Sequence, residues 1–349
     1  MKQKPTPTAR IISMRMYGHA NVSGYDRLAH YLNCSVIEPG TEWNFTRRAA
    51  ARLFRYLIRR SGSTWYHRDS FLVELRAAYE WLSVRNQVFH FLYGENCYRY
   101  LGTLKTLGRK NRIVCTYHTP PEVFCTKVQD RKHIRRLDAV ITVSTVQNEF
   151  FSQFVGDRVF FIPHGIDVDY FHPNPRPAVP TTGVRCLTVG SYLRDLETLA
   201  RIAKLVGEYN KEIHFSVVTH PEFHHLFIGI PNVTLHTGLS DEKLLNLYQN
   251  SDIFVLPLKN CTANNGLLEA MACGLPIVAT ELQGVKDYTN AACARLAPKG
   301  DALAMAEIIA HLAKDESNRM KMRLASREKA LTFRWENVAA QVKRLYENI

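Results

Sequence analysis

Val255-Leu-Pro-Leu-Lys-Asn-Cys-Thr-Ala-Asn-Asn-Gly-Leu-Leu-Glu-Ala-Met-Ala-Cys-Gly-Leu-Pro-Ile-Val-Ala-Thr280 is the stretch on which the fold turns. An apolar strand-like run ends at Pro257, a polar loop follows, and a helical pattern opens near Asn264. Gly274 and Pro276 stop that helix, and a second apolar run begins. Two apolar strands joined through a helix are the unit of a parallel sheet covered on both faces. A helix that opens at the carboxyl end of a parallel strand aims its unbonded N–H groups outward and makes an anion site. Asn264, Asn265 and Gly266 would present those amides, and the asparagines add side-chain donors. Glu269 stands four residues after Asn265, on the same helix face. A carboxylate there can accept hydrogen bonds from the vicinal hydroxyls of a ribose. The plainer alternative is an exposed glutamate on an ordinary helix. Leu267, Leu268, Met271 and Ala272 supply the core face, which leaves Glu269 for a cleft.

The same alternation extends outward in both directions. Strands are expected over 10–16, 88–93, 112–117, 139–143 and 159–162, with helices over 24–32 and 145–154. Asn174-Pro-Arg-Pro-Ala-Val-Pro-Thr-Thr-Gly183 suits neither element and reads as a linker. Strands then resume over 185–189, 215–218, 233–236, 253–256 and 277–280, with helices over 193–207, 241–250, 264–273 and 301–314. Residues 316–349 read as two further helices, the last over 335–348. The expected architecture is α/β, with two Rossmann-like, doubly wound parallel-sheet domains in tandem. Their bounds are 1–173, a linker at 174–183, 184–331, and a closing segment at 332–349.

The bulk composition agrees. A chain of 349 residues suits two domains, and 46% hydrophobic with 22% charged residues suits a well-filled core. No run of 18 apolar residues is present, and the first ten residues lack the apolar stretch of a signal peptide. The expectation is a cytoplasmic protein. The eight cysteines are scattered without a Cys-x-x-Cys pair, which favours reduced, buried thiols over disulfides or zinc. Charge is uneven: residues 1–163 hold 25 Lys and Arg against 12 Asp and Glu, a net of +13, whereas 164–349 hold 20 of each. The first half is expected to face something acidic.

Leu268-Glu-Ala-Met-Ala-Cys-Gly-Leu-Pro-Ile-Val-Ala-Thr280 resembles the signature of glycosyltransferase family 4, whose fold is GT-B. Other segments are similar to family segments in the expected order: Leu137-Asp-Ala-Val-Ile-Thr-Val-Ser144, Phe161-Ile-Pro-His-Gly-Ile-Asp-Val-Asp-Tyr-Phe-His-Pro173, Cys186-Leu-Thr-Val-Gly190, Gly238-Leu-Ser-Asp-Glu-Lys-Leu-Leu-Asn-Leu-Tyr248 and Phe333-Arg-Trp-Glu336. The resemblance is close from about residue 112 onward and loose before it. It implies two domains facing a central cleft, with the donor on the second and the acceptor on the first. It also implies hexosyl transfer from a nucleotide sugar with retention, needing no metal and no cofactor beyond that co-substrate. The last helix would cross back to the first domain.

The resemblance places further residues. His118 matches the family histidine that reaches the donor sugar. Gly190 and Gly24 match the glycines of the loops that neighbour the diphosphate, although Gly24 reads equally as a plain turn glycine. Two departures stand out. The family pairs its glutamate with another eight positions earlier, where this chain has Cys261, so Asn264 and Asn265 are left to hold the sugar. The family arginine after Gly190 and the lysine six residues further on are here Ser191 and Glu197. Arg194 is the nearest substitute to neutralise a departing diphosphate, which in a metal-free site requires fixed charge and dipoles. An exposed arginine at a helix start is the alternative. Asp167-Val-Asp169 mimics a metal-binding Asp-x-Asp but sits in the inter-domain segment, and no metal site is assigned.

Arg47, Arg48, Arg52, Arg55, Arg59 and Arg60 lie along a segment with an apolar stripe of Leu53, Phe54, Tyr56, Leu57 and Ile58. Such a segment suits an anionic membrane surface, a solvated basic face, or a phosphorylated acceptor. The expected protein is therefore a peripheral enzyme of the inner membrane face that glycosylates a glycan or a lipid-linked acceptor. Its rivals are a GT-B enzyme that glycosylates nucleic acid and a Rossmann oxidoreductase. No nucleic-acid motif supports the first, and no Gly-x-Gly-x-x-Gly supports the second.

Overall fold

The computed structural model describes residues 8–14, 22–39, 55–174 and 183–349. They fall into two compact units. The first takes those up to 14, those between 24 and 164, and 335–349; the second takes 22–23 and those between 165 and 334.

Each unit is built on a six-stranded parallel sheet. The first contains β1 (Ala9–Ile12), β2 (Ser35–Ile37), β3 (Val88–Phe91), β4 (Arg112–Tyr117), β5 (Ala139–Thr142) and β6 (Val159–Phe161), in the order β2-β1-β3-β4-β5-β6. The second contains β7 (Val184–Val189), β8 (Ile213–Val218), β9 (Val233–His236), β10 (Ile253–Leu256), β11 (Ile277–Thr280) and β12 (Ala294–Ala297), in the order β12-β11-β10-β7-β8-β9. Strand order reverses between β1 and β3 in the first sheet and between β7 and β10 in the second. In open α/β sheets ligands bind outside the carboxyl ends of the strands at such reversals.

The second sheet is apolar on both faces because alternate side chains feed two cores. Phe254 and Leu256 of β10 join Leu187, Ile277, Ala279, Leu267, Leu268 and Met271 on one face. Ile253 and Val255 join Cys186, Val278, Leu199, Ile202 and Ile309 on the other.

Differences from the expected elements have local causes. The helices expected over 24–32 and 145–154 each begin with a 3-10 turn, Tyr25–Arg27 and Thr145–Gln147, before Leu28–Leu32 and Asn148–Val155. The strand expected over 10–16 is β1, with 15 and 16 outside the described residues. Strands β2 and β12 were not expected. Both are short sheet edges, and Ser35 and Val36 are exposed, so no apolar run marks β2. The passage from first to second unit lies at His164 and Gly165, ahead of residue 173. Residues 165–174 stay with the second unit because Arg327 donates to the carbonyls of Val168, Phe171 and Ala272. Residues 175–182 of the expected linker lie outside the described residues.

The helix Trp335–Asn348 belongs to the first unit and buries Val338, Ala339, Val342, Leu345 and Tyr346, the stripe of a 3.6-residue repeat. Its Tyr346 hydroxyl meets Nδ1 of His90 in β3 at 2.6 Å, and Nε2 of His90 meets the Thr116 hydroxyl of β4 at 2.8 Å. Burial lowers the His90 pKa to about 3. The folded ring therefore stays neutral across a window, from about 6.5 down to about 3, where an unfolded histidine takes up a proton. Stability falls as pH falls through that window. Tyr346→Phe leaves a buried ring nitrogen without its partner and should lower unfolding stability at pH 7 by about 1–3 kcal/mol. An unchanged denaturation midpoint would contradict this role for the pair.

Candidate functional site

The reversal point of the second sheet is where its site residues gather. Gly190 ends β7 with φ +97°, a left-handed value that suits glycine, and a Cβ there would lie 3.1 Å from the Arg194 guanidinium. The missing side chain lets Arg194 fold back over the strand end. Its Nε donates to the Val189 carbonyl at 3.1 Å, Nη1 to the Tyr192 carbonyl at 3.1 Å, and Nη2 to Oδ1 of Asn264 at 3.0 Å. Burial draws its pKa below the usual arginine value, against the opposing pull of Cys261, Tyr248 and Glu269. The backbone reinforces the arrangement: Asp195 N–H donates to the Pro257 carbonyl and Lys259 N–H to the Leu193 carbonyl. The loops after β7 and β10 are thus joined by main chain and side chain together.

Asn264 is the N-cap of the helix Asn265–Ala272, and its Oδ1 also accepts from the Leu267 N–H at 3.0 Å. One oxygen therefore caps the helix and anchors Arg194. The N–H groups of Asn265 and Gly266 fall in the first turn, outside the helical ladder. A Cβ on Gly266 would stand 3.5 Å from Nη2 of Arg194, an ordinary contact distance, so the guanidinium lies directly beside the helix start. Arg194, Asn264, Asn265, Gly266 and Gly190 come together as one cluster.

Glu269 does not lie on an open helix face, because residues 266–272 are buried on every side. Its Oε1 accepts from the Ser23 hydroxyl at 2.6 Å and its Oε2 from the Tyr248 hydroxyl at 2.8 Å. Burial raises the carboxyl pKa, and the two hydroxyls work in the other direction. Each oxygen retains a second lone pair for a ligand hydroxyl. Ser23 and Tyr248 were not singled out from sequence. Tyr248 carried a signal, as a polar-tipped residue on the inward face of the helix Asp241–Gln249, where it is fully buried.

Replacement of the family's residues is legible in place. Ser191 bonds to the Thr219 hydroxyl at 2.9 Å and accepts from the His220 N–H at 3.0 Å, which ties the β7 loop to the β8 loop. Glu197 is exposed in the first turn of the helix Leu196–Tyr209. Cys261 is 4% exposed and packs in the core, and burial pushes its thiol up to about 12. A Cβ on Gly284 would sit 2.4 Å from the Cys261 carbonyl oxygen, so that glycine is needed for the helix Gln283–Lys286 to close on this loop. All eight cysteines are free thiols. Asp167 Oδ1 accepts from the N–H groups of Asp169 and Tyr170, a local turn.

In the first unit, Gly24 has φ 123° and ψ 154°, a conformation open essentially to glycine alone. It directs the buried Tyr25 to lie edge-on to His118 at 4.6 Å, with His164 and Trp335 on its other sides. His118 Nε2 donates to the Leu92 carbonyl at 2.8 Å. Arg55, Arg59 and Arg60 are exposed on a helical stretch at 55–60, with Leu57 and Ile58 half-buried and Tyr56 53% exposed. Arg60 donates to the Tyr56 hydroxyl at 2.6 Å. Arg47, Arg48 and Arg52 lie outside the described residues. Among the described residues no helix is long and apolar enough to cross a membrane.

Residues 183–315 match the family described as Glycosyl transferases group 1. The second unit carries a glycosyltransferase domain of that description. The chain is similar to a D-inositol 3-phosphate glycosyltransferase of Xylanimonas cellulosilytica, 24% identical over 273 residues, 70% of this chain and 65% of that protein. A phosphatidyl-myo-inositol mannosyltransferase of Mycobacterium leprae is 24% identical over 257 residues, 68% of this chain and 67% of that one. The chain spans about two thirds, or less, of the length of the curated relatives it matches. The solved structure of Anabaena HepE in complex with UDP superposes with a TM-score of 0.71, at 12% identity over 98% of this chain and 100% of that one. The chain has the two-domain α/β architecture of GT-B.

Proposed function

We propose that this glycosyltransferase takes a hexosyl group from a nucleotide-sugar donor and passes it to a glycan or lipid-linked acceptor. Configuration is retained and no metal ion is needed. The observation that carries this reading is the cluster at the strand reversal of the second sheet, where a guanidinium is fixed beside a helix N-terminus. In the transfer, the bond from the sugar's anomeric carbon to the phosphate oxygen breaks and a bond to the acceptor oxygen forms on the same face. The acceptor proton passes to the departing phosphate. Charge grows on the diphosphate as it leaves, and it is met by Arg194 and the first-turn amides of Asn265 and Gly266, dipoles already oriented before the reaction.

Glu269 suits the ribose hydroxyls, with Ser23 and Tyr248 holding its oxygens in place. Gly24 and His118, at the carboxyl ends of β1 and β4, are assigned to the diphosphate and the donor sugar. The UDP complex of HepE supports a nucleotide donor, and the phosphatidyl-myo-inositol mannosyltransferase supports a lipid acceptor. We assign the cluster in the second unit no other cofactor.

Arg194→Ala should lower kcat by about 10²–10³-fold, the usual cost of losing one donor to developing charge. Ser191→Ala and Glu197→Ala, which alter a loop tie and an exposed side chain, should cost far less. Near-normal turnover in Arg194→Ala would place the diphosphate elsewhere.

A second feature concerns where the enzyme works. Arg55, Arg59, Arg60 and the exposed Tyr56 present charge and an aromatic ring together, which suits the anionic inner face of a membrane. Basic residues near such a surface contribute about 1 kcal/mol each. The protein should float with anionic vesicles and not with neutral ones, less so at high salt and less so in the Arg55, Arg59 and Arg60 to Gln triple variant. Equal flotation with both vesicle types, or with neither, would reject this surface and leave a soluble acidic acceptor for the basic half.

A further inference from the structure

At the strand reversal of the first sheet, a buried carboxylate faces the turn that carries His118. Gly94 opens the short helix Gly94–Cys97, after Leu92 and Tyr93 have followed β3, and a Cβ on Gly94 would lie 2.8 Å from the Cys115 Cβ and 2.9 Å from Cζ of Tyr117. Only a glycine lets this helix start press so closely on β4. The next residue, Glu95, is 6% exposed and reaches past the end of β4. Its Oε1 accepts from the His118 N–H at 2.9 Å and from the Thr119 hydroxyl at 2.9 Å. Its Oε2 is buried and has no hydrogen-bond partner among the described residues.

His118 is consequently held at two points, its main chain by Glu95 and its ring by the Leu92 carbonyl. The ring also lies between Tyr25 at 4.6 Å and Tyr93 at 4.8 Å. An unpartnered carboxylate oxygen in a dry site is costly, and a purely structural acceptor needs no charge there. We infer that Glu95 is a positioning residue, which holds the His118–Thr119 turn through its carboxylate charge. The inference rests on the reading of His118 as a donor-sugar contact only for its kinetic consequence.

An ionised carboxylate accepts hydrogen bonds about twice as strongly as a neutral group. A proton placed on Oε2 leaves Oε1 as a carbonyl and loosens the turn. Burial raises the Glu95 pKa to about 7, against the pull of its own backbone N–H and of the hydrogen bonds from His118 and Thr119. Ionisable groups surround it. Tyr93, Cys97, Cys115 and Tyr117 are all raised by burial and stay protonated. Glu74 acts on Cys97 and Cys115, Asp26 acts on Tyr93, and Arg99 acts on Tyr117. The ring of His118 completes the set. The sign follows: Glu95 is charged above about pH 7, and the turn loosens as pH falls through that value.

The test compares wild type with Glu95→Gln, which keeps an oxygen for both donors and removes the charge. In the full-length protein without ligand, the Glu95 carboxyl carbon resonance, assigned by its disappearance in Glu95→Gln, should titrate near pH 7. The His118 amide should shift with the same midpoint, and that component should vanish in Glu95→Gln. A carboxyl midpoint near ~4.3, the ordinary glutamate value, or a His118 amide indifferent to the substitution would overturn the inference. If Glu95→Gln fails to fold, Glu95→Asp assigns the carboxyl resonance by displacing it, and the wild-type titration of both nuclei then decides. With a nucleotide sugar, wild-type kcat should fall about three- to tenfold between pH 8 and 6 while donor KM stays within about twofold. Glu95→Gln should lack that limb. A limb that persists in the variant would also overturn the inference. Titration as expected, with no transfer from any nucleotide sugar, would instead refute the proposed function and leave the role of Glu95 in the turn standing.

Discussion

Nη2 of Arg194 donates to Oδ1 of Asn264, and this bond joins the two loops on which the candidate donor site depends. It exists because β7 and β10 are parallel neighbours whose connections leave in opposite directions. Both carboxyl ends then open at one place, and no loop crosses the gap between them. Gly190 removes the side chain that would block the guanidinium, and Asn264 supplies an oxygen already committed to capping a helix. A positive group is thereby set beside the positive end of a helix dipole, an arrangement that is costly when empty and favourable around an anion. That electrostatic tension is the physical reason to look for a diphosphate here.

The chain reaches this arrangement with a set of residues different from those common in the family it resembles. A buried thiol at Cys261 stands where a carboxylate is usual, and Gly284 closes over its backbone, so no negative charge opposes Arg194 from that loop. The buried carboxylate of Glu269 is kept in hand by two hydroxyls. Ser191 has become a tie between loops, and Arg194 supplies the cation from three residues further along. The substitutions are mutually consistent: moving the arginine onto Asn264 is compatible with a small neutral side chain at 261.

Much of this was legible in the sequence. Apolar runs such as Ile253–Leu256 and Ile277–Thr280 could only be strands buried on both faces, and glycine and proline marked their ends. The cluster around Asn264 could be read because capping and helix polarity act within a few residues. Edge strands β2 and β12 could not, since β2 buries only Ile37 and Arg295 interrupts the apolar run of β12. Glu269 was expected to face a cleft because its neighbours looked sufficient to fill a core. The surrounding helices bury the whole segment instead, and contacts with Ser23 and Tyr248 span separations no local pattern encodes. Glu95 shows the same limit. Only the fold brings it to His118, although a glycine shortly after an apolar strand marks the place where a helix comes close.

The central claim is that the second unit binds a nucleoside diphosphate at the junction of the β7 and β10 loops. Hydrogen exchange of the full-length protein, with and without saturating UDP or GDP, tests it most directly. The account predicts slowed exchange at the amides of 190–194 and 264–269 with the cognate nucleotide. Saturable nucleotide binding that leaves both segments unchanged would contradict it.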